Sequence, residues 1–191
     1  VLDIPEIQIN AEPNVGCAPL TVEFSGLTPS IQNWTWNFGD PTSESNTANS
    51  EYPAHIYDYS GSYDVSLSIT TAEGCSADSV FSNYVEVFDL PTAEFESSAE
   101  LATLLNAEID FTDLSQGDID MWFWDFGDGQ SSTDQNPTNT YTEPGTYPVV
   151  LKVITINGCE DETYLEIEVE PEFTFYIPNA FTPNGDRHNN F

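Results

Sequence analysis

The sequence predicts an all-β protein: two tandem antiparallel β-sandwiches, then the first strand of a truncated third β-domain. Three observations lead there. A tryptophan block, Trp34-Thr35-Trp36-Asn37-Phe38-Gly39-Asp40, returns as Met121-Trp122-Phe123-Trp124-Asp125-Phe126-Gly127-Asp128-Gly129. Downstream blocks return as well: Gly61-Ser62-Tyr63 recurs as Gly145-Thr146-Tyr147 at an offset of 145 − 61 = 84, and Cys75 recurs as Cys159 at 159 − 75 = 84. A fixed period of this length means one structural unit used twice. Finally, apolar and polar residues alternate in short runs, and Trp, Tyr and Phe supply 13% of the 191 residues, which is the composition of strands joined by turns. The expected domains are 1–89, 90–171 and 172–191. Each full repeat is small but large enough to fold alone.

Each element can be read in order. Val22-Glu23-Phe24-Ser25, and Ile109-Asp110-Phe111-Thr112 in the second copy, alternate with period two and form an early strand. On the next strand Trp34 and Trp36 share a face, as do Trp122 and Trp124. A sandwich interior wants one large aromatic at that point, so Trp36 and Trp124 are assigned to the core. Trp34 and Trp122 are left as the aromatics that could face a ligand. Phe-Gly-Asp then turns the chain, glycine supplying the backbone angle and aspartate bonding nearby amides. Tyr63, Val65, Leu67 and Ile69 point inward along a long strand, matched by Tyr147, Val149, Leu151 and Val153. The placement of Tyr63 and Tyr147 resembles the tyrosine corner of immunoglobulin-like sandwiches, whose hydroxyl bonds back to the preceding chain. Leu165, Ile167 and Val169 face inward on the last strand, with Glu166, Glu168 and Glu170 in water.

Together these blocks resemble the polycystic-kidney-disease (PKD) domain. The resemblance rests on Trp-x-Trp-[Asn/Asp]-Phe-Gly-Asp, then Pro53-Ala54-His55-Ile56-Tyr57 with Gly61-Ser62-Tyr63, and Pro137-Thr138-Asn139-Thr140-Tyr141 with Gly145-Thr146-Tyr147. The second copy departs at Asn139, where the first has His55. The resemblance implies immunoglobulin-like sandwiches of about seven strands, serving extracellular proteins as spacer or adhesion modules.

Charge removes several functions. With 33 Asp and Glu against 2 Lys and Arg, the formal net charge is -31. Such a polyanion repels nucleic acid and anionic lipid, so neither is an expected partner. Solvated acidic faces, mutual repulsion that extends a long molecule, bound divalent cations and adaptation to a salty habitat are the readings this charge allows. Asp40, Asp125, Asp128 and Asp186 are the candidate calcium ligands, since calcium seeks carboxylate-rich loops. Turn capping by Asp40 and Asp128 is the competing reading, because no complete Asp-x-Asp-x-Asp-Gly loop occurs. No Gly-x-Ser-x-Gly, P-loop or His-Glu-x-x-His is present, and the two histidines, His55 and His188, lie far apart, so no enzyme activity and no other cofactor is expected. No apolar run reaches the length of a membrane span and no signal peptide opens the chain, which points to an internal or C-terminal piece of any exported protein. Cys17 precedes the first early strand and Cys75 follows the long one, while Leu104 takes the aligned cysteine position in the second copy. A Cys17–Cys75 disulfide with Cys159 unpaired is therefore expected, against the alternative of free buried thiols. Its loop of 75 − 17 = 58 residues gives about 4 kcal/mol in the chain-entropy treatment. The short proline-containing joints Asp89-Leu90-Pro91-Thr92 and Glu170-Pro171-Glu172 favour a rod over a flexible string.

Residues 173–191 break the repeat. Ile177-Pro178-Asn179-Ala180-Phe181-Thr182-Pro183-Asn184-Gly185-Asp186 resembles the opening of the gliding-motility-associated C-terminal domain, the type B sorting signal of type IX secretion. Arg187 and Asn190 depart from that pattern. Pro178, Asn179, Phe181, Pro183, Asn184, Gly185 and Asp186 are its motif residues here. The resemblance implies export across the outer membrane to the cell surface, with the translocon and its outer-membrane shuttle protein as partners. Three functions follow as expectations: a stalk and export signal of a large surface adhesin, such as a gliding motility adhesin; accessory modules of a secreted protease or polysaccharidase; or modules binding surface polysaccharide or collagen.

Overall fold

Sixteen strands and a single turn of 3-10 helix (Leu104–Asn106) make up the computed structural model, which describes residues 6–172. The first eight strands are β1 (Ile9–Glu12), β2 (Val15–Cys17), β3 (Leu20–Gly26), β4 (Ile31–Asn37), β5 (Thr47–Ala48), β6 (Ala54–Tyr57), β7 (Gly61–Thr71) and β8 (Ser76–Phe88). The second eight repeat them: β9 (Phe95–Ser97), β10 (Leu101–Thr103), β11 (Glu108–Asp113), β12 (Ile119–Asp125), β13 (Ser131–Ser132), β14 (Thr138–Thr140), β15 (Gly145–Thr155) and β16 (Glu160–Glu170).

Topology repeats strand for strand. The first sandwich packs a β1-β3-β6 sheet on a β2-β8-β7-β4-β5 sheet, and the second packs β9-β11-β14 on β10-β16-β15-β12-β13. The expected two-sandwich, immunoglobulin-like, all-β architecture is what the chain adopts. One departure from purely antiparallel pairing recurs in both copies: β2 runs parallel to β8, and β10 parallel to β16. Each sandwich has its own apolar interior. One is built on Val22, Phe24, Trp36, Phe38, Leu67 and Val85, the other on Ile109, Phe111, Trp124, Phe126, Leu151 and Ile167. Period-two alternation produces this directly, since β3 buries every second residue from Leu20 to Gly26.

The tyrosine corners form as expected. The Tyr63 hydroxyl donates to the Tyr59 carbonyl at 2.7 Å, and Tyr147 donates to Glu143 at 2.8 Å. A second tyrosine latch was not anticipated. Tyr57 donates to the Phe38 carbonyl at 2.9 Å and Tyr141 to that of Phe126 at 3.1 Å, both buried, so each Phe-Gly-Asp turn is tied to the opposite sheet. The third-domain strand and the sorting motif, Pro178 to Asp186, lie outside the described residues.

Candidate functional site

Three features carry side chains of interest: the Phe-Gly-Asp turns, the outer tryptophans, and the junction bridged by a disulfide. At the first turn Gly39 adopts φ 73°, and a Cβ there would lie 2.2 Å from the Asp64 carbonyl oxygen, so only glycine fits. Asp40 is buried, 3% exposed, and accepts hydrogen bonds from the Thr42 hydroxyl (2.6 Å) and the Thr42 amide (3.2 Å). His55 Nε2 lies 3.2 Å from its other oxygen, while the imidazole stacks on Phe38 with centroids 4.6 Å apart. In the second turn Asp128 accepts from the Gln130 amide and from Asn139 Nδ2, each at 2.9 Å. Asn139 thus takes over the bond of His55, which explains how the repeat tolerates the exchange. Asp125 accepts from the Gly127 amide at 3.0 Å.

The proposed calcium ligands therefore occupy turn-capping geometry. Asp40, Asp125 and Asp128 bond to amides and side chains of their own loops, and no cluster of three or more metal-binding side chains occurs among the described residues. Asp186 lies outside them.

Burial works against a charge on Asp40, but hydrogen bonds from Thr42 and His55 outweigh it and hold the carboxyl below the ordinary aspartate value of 3.8. Asp113 is likewise held low, burial being outweighed by bonds from Ser115, Gln135 and Trp122. A carboxyl whose folded-state pKa is depressed stabilises the fold above its unfolded value, and that gain disappears as pH falls through the folded value. Relief of self-repulsion at a net charge of -31 acts in the opposite sense. The melting temperature should therefore rise from pH 7 to about pH 4–5 and fall below the 3.8 of an ordinary aspartate. Asp40→Asn should remove the low-pH fall of the first sandwich. A calorimetric series rising steadily to pH 2 would refute this.

Trp34 is not a ligand-facing aromatic. Its ring is 8% exposed and lies parallel to Trp36, with centroids 6.5 Å apart. Gly26 makes this possible, since a Cβ there would sit 1.8 Å from the Trp34 ring. In the second sandwich the equivalent strand residue is Asp113, which blocks that path. Trp122 is accordingly half-buried, and its Nε1 donates to Asp113 Oδ2 at 2.7 Å, which fixes the ring's orientation. Gly26→Ala should expel the Trp34 ring and cost the first sandwich about 2–3 kcal/mol, read from its urea midpoint. An unchanged midpoint would show that the ring does not need the gap.

One group of exposed apolar side chains lies elsewhere. Met121, Phe123 and Tyr164 are 42%, 43% and 73% exposed on the outer face of the β10-β16-β15-β12-β13 sheet, where Lys152 pairs with Glu160. The first copy carries Asn33, Thr35 and Val80 at these places. The signal was available: they are the outward positions of the same alternation that located the core.

The cysteine pairing also differs from expectation. Cys17 bonds Cys159, with Cα atoms 5.7 Å apart across 142 residues, and Cys75 is free. A Cys17–Cys75 bond is excluded by strand geometry. Cys17 lies beside Phe88 at one end of β8, whereas Cys75 precedes Ser76 at the other. At about 3.3 Å per residue these ends are about 40 Å apart, against the roughly 7 Å limit for a disulfide. The strand pairs also correct the alignment: Cys17 sits opposite Phe88 as Thr103 sits opposite Glu170, so Thr103, not Leu104, is the counterpart of Cys17. The bridge ties the β15–β16 hairpin tip to the edge strand of the first sandwich. Beside it a cleft of about 300 Å³ is lined by Phe88, Leu90, Pro91, Gly117, Thr155 and Asn157.

The turns, the Trp-x-Trp strand and the tyrosine latches define a class of small β-sandwich repeat. The chain belongs to the PKD domain family, whose profile matches residues 3–87 and 89–169. It is 35% identical over 100 residues to the collagenase ColA of Bacillus cereus, a match covering 42% of this chain and 10% of that protein. To the pre-pro-metalloprotease PrtV of Vibrio cholerae it is 36% identical over 90 residues, covering 47% of this chain and 9% of that protein. The match thus spans about a tenth of the length of these curated relatives. Among solved structures, the PKD1 domain of the Vibrio cholerae metalloprotease PrtV is 34% identical, covering 42% of this chain and 98% of that domain, with a TM-score of 0.38.

Proposed function

We propose that the two PKD domains act as a non-catalytic, rigid spacer within a larger exported protein. The observation that carries this is the Cys17–Cys159 bridge. A structural disulfide belongs to an oxidising, extracytoplasmic setting, and one placed across a domain joint fixes an angle rather than stabilising a single core. The collagenase and metalloprotease relatives favour a secreted hydrolase as the parent protein, with these modules as its accessory region. Small-angle scattering before and after reduction tests the spacer: the intramolecular pair-distance distribution should broaden on reduction, and an unchanged distribution counts against a locked joint.

A second reading is favoured by the tail motif Pro178-Asn179-Ala180-Phe181-Thr182-Pro183-Asn184-Gly185-Asp186. It makes the chain the stalk and export signal of a surface adhesin, carried by the type IX translocon and its outer-membrane shuttle protein. Recovery of either component with the chain, from envelopes of the native cell, supports this. Recovery of only soluble partners speaks for the hydrolase. Binding of polysaccharide or collagen, if it occurs, falls to Phe123 and Tyr164 rather than to Trp34 or Trp122.

A further inference from the structure

The two long hairpins end in the same pedestal. Thr71-Ala72-Glu73-Gly74-Cys75 and Thr155-Ile156-Asn157-Gly158-Cys159 each join their long strands. The threonine amide donates to the cysteine carbonyl at 2.9 and 2.8 Å, and the glycine amide to the threonine carbonyl at 3.0 and 2.9 Å. The cysteine amide donates to the threonine hydroxyl at 3.3 and 3.0 Å. Gly74 and Gly158 adopt φ 84° and 81°. Cys75 is thus presented as Cys159 is, yet Cys159 is bonded to the preceding sandwich and Cys75 is the free cysteine of the described residues.

The poles are also placed for a ladder. Each sandwich has its hairpin tip at one end and its parallel edge strand, β2 or β10, at the other. The contact between them is head-to-tail, a type that joins unlike surfaces and so can be repeated from one module to the next. Thr103 stands where Cys17 stands, so the second sandwich offers no receiving thiol. The ladder can extend only from Cys75.

We propose that Cys75 is the attachment point for a further PKD repeat that bears a cysteine at the position of Cys17, docked head-to-tail on the pole opposite the second sandwich. This rests on the spacer reading and names its partner. The chemistry balances: two thiols lose two protons and two electrons to a disulfide oxidant, either glutathione disulfide in vitro, which becomes two glutathione thiols, or a thiol–disulfide oxidoreductase in the cell, which becomes its dithiol form. A covalent joint suits repeats that repel one another at this charge density.

The test places a second copy of residues 1–91 ahead of Glu6, which reproduces the spacing from Pro91 to Phe95 of the natural joint, oxidises the protein with glutathione disulfide, and maps alkylated peptides without reduction. The expected result links Cys17 of the upstream copy to Cys75 of the downstream copy, leaving only the upstream Cys75 alkylated. If Cys17–Cys159 forms but the downstream Cys75 is alkylated, or bonds the other Cys75, the proposal is overturned and the spacer reading survives. If Cys17–Cys159 is itself missing, the spacer reading fails first. Independently, Thr103→Cys in the ordinary chain supplies the missing acceptor, and should give a ladder of dimers, trimers and longer species on non-reducing gels that Cys75→Ser abolishes. A Thr103→Cys chain that stops at dimers overturns the proposal.

Discussion

Replacing Cys159 by serine, or reducing its bond to Cys17, is expected to destabilise both sandwiches and free the joint between them. The bond closes a loop of 142 residues, for which chain entropy alone gives about 5 kcal/mol. Disulfides commonly deliver about 2–4 kcal/mol of such figures, which for domains of this size moves a melting temperature by about 10–20 °C. Opening either sandwich leaves the other as an anchor, so the loss should appear in both calorimetric transitions. Cys75→Ser discriminates between pairings. Here Cys75 is free, so its replacement should leave the thermogram unchanged; under a Cys17–Cys75 bond it would be the damaging change. Low salt should enlarge the effect of reduction on shape, because repulsion between two acidic domains reaches farther as the screening length grows.

That contrast separates what neighbouring residues encode from what the meeting of two domains encodes. Inward and outward faces of β3, β4, β7 and β16 followed from period-two alternation, a property of neighbouring residues. The tyrosine corners followed from a local spacing, and their bonds formed as anticipated. The bridge depends on which hairpin tip meets which edge strand of the next domain, and nothing local encodes that. Within one repeat, the length of β8 keeps Cys17 and Cys75 apart. The outer tryptophans failed for a related reason. Trp34 and Trp122 occupy equal places in their strands, but their fates are set by Gly26 and Asp113 on the facing sheet. A single missing side chain draws one indole into the core; a carboxylate stops the other at the rim. The acidic turns were legible as capped turns or as cation ligands, with turn capping by Asp40 and Asp128 the reading their hydrogen bonds match. Whether a carboxylate serves a cation or an amide depends on donors such as Thr42, Gln130 and Asn139, which come within reach only when the loop closes.

Trp36→Ala should be the most damaging single change in the first interior. Trp36 is 0% exposed, packs on Phe24 and Phe38 at centroid distances of 5.7 and 6.5 Å, and its Nε1 donates to the Ser50 carbonyl at 2.9 Å. Truncating a buried tryptophan costs about 3–5 kcal/mol, and the Ser50 carbonyl loses its partner as well. Sandwiches of this size hold about 4–13 kcal/mol in total, so the variant should lie near or beyond its unfolding point at 37 °C. Trp124→Ala should do the same to the second sandwich, where Trp124 Nε1 donates to the Asp134 carbonyl at 2.9 Å. Because the two interiors share no residue, each substitution should move one transition only, once the bridge is removed by Cys159→Ser. Trp36→Ala moving both transitions equally in that background would mean that the two sandwiches unfold as one body, and the spacer would then be a single cooperative unit instead of two modules joined by a bond.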